Sequence, residues 1–219
     1  MNSYPVSNDL PVAVFGGSGA TGKALLARIA QHGCAARVLA RKAGSVNVAA
    51  GRVEVIEGAL AKQGDVLATL QGCHAAICVF GPRAPYVDVF CEQATANIVT
   101  AMQQLGIRRL VCQTGGMIGD YRANRTLLFQ WMADAFRRHT PQSADDRVGQ
   151  ERTVMQSGLD WTIVKSPRLT DGAAQGKWRA GTEVRLGILS SIARADLADF
   201  LVTETLRPEH IGQAVFVRG

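Results

Sequence analysis

Two kinds of stretch take turns along this chain: short, nearly continuous apolar runs, and longer stretches with apolar residues three and four positions apart. The runs at 12–15, 36–40, 53–57, 75–80, 109–113, 161–165 and 214–217 read as strands. Their nearly unbroken apolar character suits parallel strands covered on both faces. Helical spacing fills 24–30, 66–70, 87–105, 121–139, 142–156 and 194–201. Within 121–139, Leu127, Leu128, Trp131, Met132, Ala135 and Phe136 form an apolar stripe, expected to pack in the core or against a second copy. Strand and helix in this order predict an α/β fold, a doubly wound parallel sheet with helices on both faces. Residues 166–172 read as a loop, and the Gly-rich 173–187 as loop and short strands.

The first strand runs into Gly16, Gly19 and Gly22, a G-x-x-G-x-x-G spacing that opens the first helix. Glycines there let the chain turn tightly, bring bare backbone N–H groups to a pyrophosphate and pack the helix close to the strand. The positive end of the helix dipole then faces the phosphates. At the end of the second strand stands Arg41, with Lys42 beside it and no acid until Glu54. An acid in that slot holds a ribose 2′-OH, whereas an Arg accommodates a 2′-phosphate, so NADP(H) is favoured over NAD(H). The alternative, a basic strand end pointing into water, competes more for Lys42 than for Arg41. Gly81-Pro82-Arg83, Thr114-Gly115-Gly116 and Ser166 onward break the chain at strand ends, where ligands sit in open α/β sheets. The least patterned segments, around 81–86, 116–125 and 170–185, are the expected substrate-side loops.

At 219 residues the chain suits one domain and leaves no room for a large separate substrate domain. The net charge of +6 is spread along the chain without a dense basic run, so nucleic acid is not an expected partner, and a polyanionic small molecule would account for part of the charge. No apolar run approaches the roughly 20 residues that cross a bilayer. Residues 1–9 lack the basic and apolar regions of a signal peptide, and a cytoplasmic location is expected. The five cysteines are odd in number and form no C-x-x-C pair, which fits small buried hydrophobes in a reducing compartment. The histidines have no metal-ligand spacing, and no metal is expected.

The Gly-Gly-Ser-Gly-Ala-Thr-Gly loop, Gly115-Gly116 after the fifth strand, the segment from Ser157 to Val164 and that from Ala193 to Ala198 together resemble the atypical short-chain dehydrogenases/reductases. More narrowly the chain is similar to the NAD(P)H-binding group of flavin reductase/biliverdin IXβ reductase and the NmrA-like redox sensors, over about residues 11–217. The resemblance implies a single Rossmann-like domain over 1–219. It also implies pyrophosphate contacts at Gly16, Gly19, Ala20, Thr21 and Gly22, and a 2′-phosphate reader at Arg41. Phe80, Gly81 and Arg83 match the loop near the adenosine and nicotinamide, and Thr114 matches a serine near the nicotinamide. Pro167 and Arg168 match the strand end closing over the nicotinamide side, Arg168 standing where flavin reductase-like members have a histidine near the substrate.

Two departures stand out. The Tyr-x-x-x-Lys pair is absent; Tyr121 and Arg125 have its spacing, but an Arg cannot serve as a readily shifted Lys, and the spacing reads as coincidence. Ala59 stands where many relatives place an adenine-binding Asp. The implied activity is NADPH-dependent hydride transfer to a flat conjugated acceptor such as a flavin, quinone or linear tetrapyrrole. In it, Thr114 would hydrogen-bond near the nicotinamide or acceptor, and Arg168 with Arg83 would attract an anionic or aromatic small molecule. The rival reading is an NADP(H)-binding sensor without significant turnover. An epimerase or dehydratase on nucleotide sugars would need the Tyr-x-x-x-Lys pair and a larger C-terminal region. A monomer or a homodimer is expected.

Overall fold

The computed structural model describes residues 10–46 and 52–219. Residues 1–9, on which the signal-peptide reading rests, lie outside them. The elements are β1 (Val12–Phe15), α1 (Ala20–Gln31), β2 (Ala36–Ala40), β3 (Val53–Glu57), α2 (Gln63–Leu70), β4 (Ala75–Cys78), α3 (Cys91–Gln104), β5 (Arg109–Gly115), α4 (Leu127–His139), α5 (Pro141–Met155), β6 (Asp160–Ser166), β7 (Arg168–Thr170), β8 (Arg179–Gly181), β9 (Ser191–Ala193), α6 (Arg194–Leu206) and β10 (Gln213–Arg218).

The main sheet has the order β3-β2-β1-β4-β5-β6-β10-β8. All neighbours are parallel except β8, which runs antiparallel to β10. This is the Rossmann-like doubly wound arrangement, with the order reversing between β1 and β4 so that a crevice opens outside their C-terminal ends. The strands bury both faces by simple alternation. Val12 and Val14 join the core under α1 and α6, with Leu25, Ile29, Leu197 and Leu201. Ala13 and Phe15 point the other way, into the core under α2, α3 and α5 with Leu70, Ile98, Met102 and Val154. The five cysteines are buried and free, each filling space in these cores.

Several boundaries differ from the sequence reading, each for a local reason. The helix expected over 87–105 begins at Cys91, where Asp146 of α5 accepts hydrogen bonds from the backbone N–H groups of Phe90, Cys91 and Glu92 and so caps it from outside. The helix expected from 121 begins at Leu127, capped by the Thr126 hydroxyl; residues 122–124 form a short 3-10 turn instead. The loop expected over 166–172 contains β7, which pairs in parallel with β9 as a second, two-stranded sheet. The stripe on α4 is not core: Leu127 is 91% exposed and Trp131 61%. Only Phe129 and Ala133 are buried, because α4 is covered along one narrow edge, while Phe136 takes the Tyr86 ring edge-on at 5.5 Å.

Candidate functional site

β1 delivers the chain into the glycine turn at the C-terminal edge of the sheet. Gly16 takes φ +100, and a Cβ there would stand 2.8 Å from the Phe80 backbone nitrogen, so a side chain is barred by conformation and by space. A Cβ on Gly22 would lie 2.2 Å from the Gly16 oxygen and 2.6 Å from Gly17 Cα, which is the close helix-to-turn packing the spacing implied. Gly19 is different in kind, since its nearest neighbour would be the Gly16 oxygen at 3.3 Å. Its missing side chain leaves open the approach to the end of α1. Gly19 is the N-cap of α1, no side chain caps it, and the first turn holds no acid. The N–H groups of Ala20, Thr21 and Gly22 therefore have no intrahelical acceptor, and the positive helix end is uncompensated. These residues fit a pyrophosphate.

Arg41 is exposed immediately beyond β2 and forms no ion pair among the described residues. The loop it opens is tied to β3, because the Ala43 N–H donates to Glu57 at 3.2 Å. At Ala59, where the resemblance leads one to look for an acid, the backbone N–H instead donates to Asp65 of α2 at 2.9 Å.

The ends of β4 and β5 are joined by a buried cation that the sequence reading passed over. Arg147 of α5 donates to the Phe80 carbonyl at 3.0 Å, to Gln150 at 2.7 Å and to the Gln113 carbonyl at 3.4 Å. A Cβ on Gly81 would come within 3.3 Å of its guanidinium. Phe80 is buried, with its ring 6.0 Å from that of Phe90, whereas Arg83 is exposed.

Thr114, Lys165 and Phe216 occupy one rung across β5, β6 and β10. Thr114 is fully buried and its hydroxyl donates to Glu151 at 2.6 Å. Lys165, also fully buried, donates to the same carboxylate oxygen and to the Ile118 carbonyl at 2.9 Å. Its Nζ lies 4.5 Å from the centre of the Tyr121 ring. Burial lowers the lysine to about 8, against the pull of Glu151 and its hydrogen bond in the other direction. Burial, and then the Glu151 charge, push the Tyr121 phenol up, so it stays protonated. Arg125 clamps the loop after β5 through the carbonyls of Gly116, Ile118 and Gly119 at 2.9, 2.7 and 3.0 Å. Tyr121 and Arg125 thus meet around Glu151, and the spacing set aside as coincidence has a structural meaning. They are still no Tyr-x-x-x-Lys pair: Arg125 is committed to backbone oxygens, and the lysine over the tyrosine ring comes from β6. Pro167 is buried beyond Lys165, and Arg168 emerges exposed as the first residue of β7, with no ion pair among the described residues.

Residues 16–208 match the family model described as NAD(P)H-binding. The chain belongs to that family. The fold of this NAD(P)H-binding protein is also that of solved structures of low identity. Anaerobillin reductase ChuY from Escherichia coli O157:H7 superposes with a TM-score of 0.78 at 20% identity, covering 94% of this chain and 96% of that one. The oxidoreductase YlbE from Lactococcus lactis gives 0.75 at 19%, over 96% and 91%. A short-chain dehydrogenase/reductase from Veillonella parvula in complex with NADP gives 0.77 at 14%, over 95% and 94%. Among the described residues no helix of this family member is long and apolar enough to cross a membrane.

Proposed function

We propose that this chain is an NADPH-dependent reductase that passes a hydride to a flat conjugated acceptor such as a flavin, a quinone or a linear tetrapyrrole. The observation that carries the reading is the glycine turn, with two positions closed to any side chain and a third left open before an uncapped helix end. Gly16, Gly19, Ala20, Thr21 and Gly22 hold the pyrophosphate, Arg41 the 2′-phosphate, and Phe80, Gly81 and Arg83 flank the way to the reacting end. The bound cofactor supplies the hydride. Arg147 and Arg125 fix the loops on either side of that end, and Thr114 acts through Glu151 as a positioning residue. Arg168, exposed at the mouth, meets an anionic acceptor. The reductase named ChuY, which shares the fold, acts on a compound whose name agrees with a tetrapyrrole-like acceptor. Five buried free thiols agree with a cytoplasmic location.

A second reading, an NADP(H)-occupied sensor, is favoured by one observation: both Thr114 and Lys165 spend their protons on Glu151. Consumption of NADPH and of NADH by the purified protein, with flavins, quinones and biliverdin, separates the two. The reductase consumes NADPH with one acceptor class, and Arg41→Glu reverses or erases the preference over NADH. Tight NADPH binding with no turnover on any acceptor moves the assignment to the sensor.

A further inference from the structure

The far edge of the sheet carries a concentration of positive charge that the cofactor does not explain. In the β8–β10 ladder Arg179 stands directly opposite Arg218. Facing positions in an antiparallel pair bring side chains close together, and like charges there repel. Arg185 lines the same hollow, of about 550 Å³, together with His210. None of the three arginines forms an ion pair among the described residues; the carboxylates nearest in the lining are spoken for or solvated. Glu183 is exposed, His210 is held by Glu204 at 2.8 Å, and Asp196, in the neighbouring hollow, accepts the backbone N–H groups of Gln175 and Gly176. Among the described residues, the one polar contact of the three guanidinium groups is from Arg185 to the Arg125 carbonyl at 3.2 Å.

Arg185 and Arg218 also line a second hollow of about 720 Å³, whose apolar side includes Leu128, Ile188 and Leu189. Leu189 is 86% exposed there, at the edge of the open cavity. The two hollows therefore adjoin at two arginines, one side basic and the other apolar. Their position relative to the site follows from the ladder. Phe216 shares the rung of Thr114 and Lys165, and Arg218 lies two residues further along β10, on the same face and toward the C-terminal edge. Two residues of rise and two strand spacings put its backbone about 12 Å from that of Thr114. The strand end that carries Arg41 is five spacings away, about 24 Å, so these arginines do not serve the 2′-phosphate of the same cofactor.

We infer that Arg179, Arg185 and Arg218 form an oxyanion-binding subsite for the acceptor, which thus carries a carboxylate or phosphate and lays apolar surface against Leu128, Ile188 and Leu189. Arginine suits this because its planar fork pairs with either group through two bonds. The inference rests on the reductase reading for the word acceptor, but the anion site itself is testable by binding alone.

The test compares dissociation constants for two matched pairs, biliverdin against its dimethyl ester and FMN against riboflavin. Each is measured by calorimetric titration on wild type, on R179Q/R218Q, and on R138Q/R207Q, which removes the same charge from exposed positions elsewhere. Wild type and R138Q/R207Q should prefer the charged member of one pair at least tenfold, biliverdin marking a carboxylate subsite and FMN a phosphate one. R179Q/R218Q should lose that preference while its NADPH affinity stays unchanged. A preference that survives in R179Q/R218Q, or that is absent from wild type in both pairs, overturns the subsite. If the preference behaves as stated but no acceptor consumes NADPH, the subsite stands and the reductase reading falls.

Discussion

Gly19 and Gly22 look alike in the sequence, but they are glycines for different reasons. Gly22 has backbone 2.2 Å from where its Cβ would go, so Gly22→Ala should cost about 1–3 kcal/mol of stability, read from the urea midpoint. Gly19 is extended, at φ −75 and ψ 168, and its Cβ would meet one atom, the Gly16 oxygen at 3.3 Å, a tight contact rather than an overlap, so Gly19→Val should cost about 1–2 kcal/mol. The same change should weaken NADPH binding on the order of a hundredfold by blocking the helix end. Loss of stability without loss of binding in Gly19→Val would mean the turn has a packing role only. Lys165 is the second residue where environment decides. Its value of about 8 lies below the ordinary 10.5, so between those limits the unfolded chain holds a proton that the folded one has released. That term raises stability as pH climbs from about 8 to 10.5. In Lys165→Met the term is gone and Glu151 is left buried without its lysine, at a cost of about 3–5 kcal/mol near neutrality. The gap between wild type and Lys165→Met should therefore widen from pH 8 to 10.5 in unfolding titrations; a gap that closes over that range would contradict the assignment. Lys165 was visible in the sequence as one charge inside an apolar strand. Its partner was not, since Glu151 is one of several charged residues along α5 and nothing in the sequence singles it out.

At the level of elements, periodicity located the seven parallel strands of the main sheet to within two residues, because buried parallel strands have to be apolar throughout, whereas the antiparallel edge strand β8 fell inside a stretch read only as loop and short strands. It failed where the decisive contact is distant in sequence. The start of α3 depends on Asp146, more than fifty positions away, and β7 and β9 are three-residue strands that no pattern could separate from loop. On α4 the period was right, but the stripe lies outside the core of this chain: amphipathicity reports that a helix has an apolar face, not what covers it. Trp131→Lys should accordingly change stability by less than about 0.5 kcal/mol. A loss of several kcal/mol, the range for a buried aromatic, would mean that the face is packed in solution, and sedimentation of wild type beside the variant would then show whether a second copy does the packing.

Over the whole molecule, the glycine spacing, the doubly wound parallel sheet and the placement of Arg41 at the end of β2 were legible, because a dinucleotide fold writes its cofactor end into local sequence. The acceptor end proposed above has no such local record. The clamp on the loop after β5, the Glu151 cluster and the arginines at the sheet edge come from segments with little pattern of their own. The central claim is that a hydride leaves the cofactor held at this edge and arrives on the acceptor. It is tested most directly by mixing excess protein with NADPH dideuterated at nicotinamide C4 and a linear tetrapyrrole, then analysing the product by mass spectrometry and NMR. The account predicts one deuterium at the reduced carbon. Reduced product carrying only solvent hydrogen would contradict it.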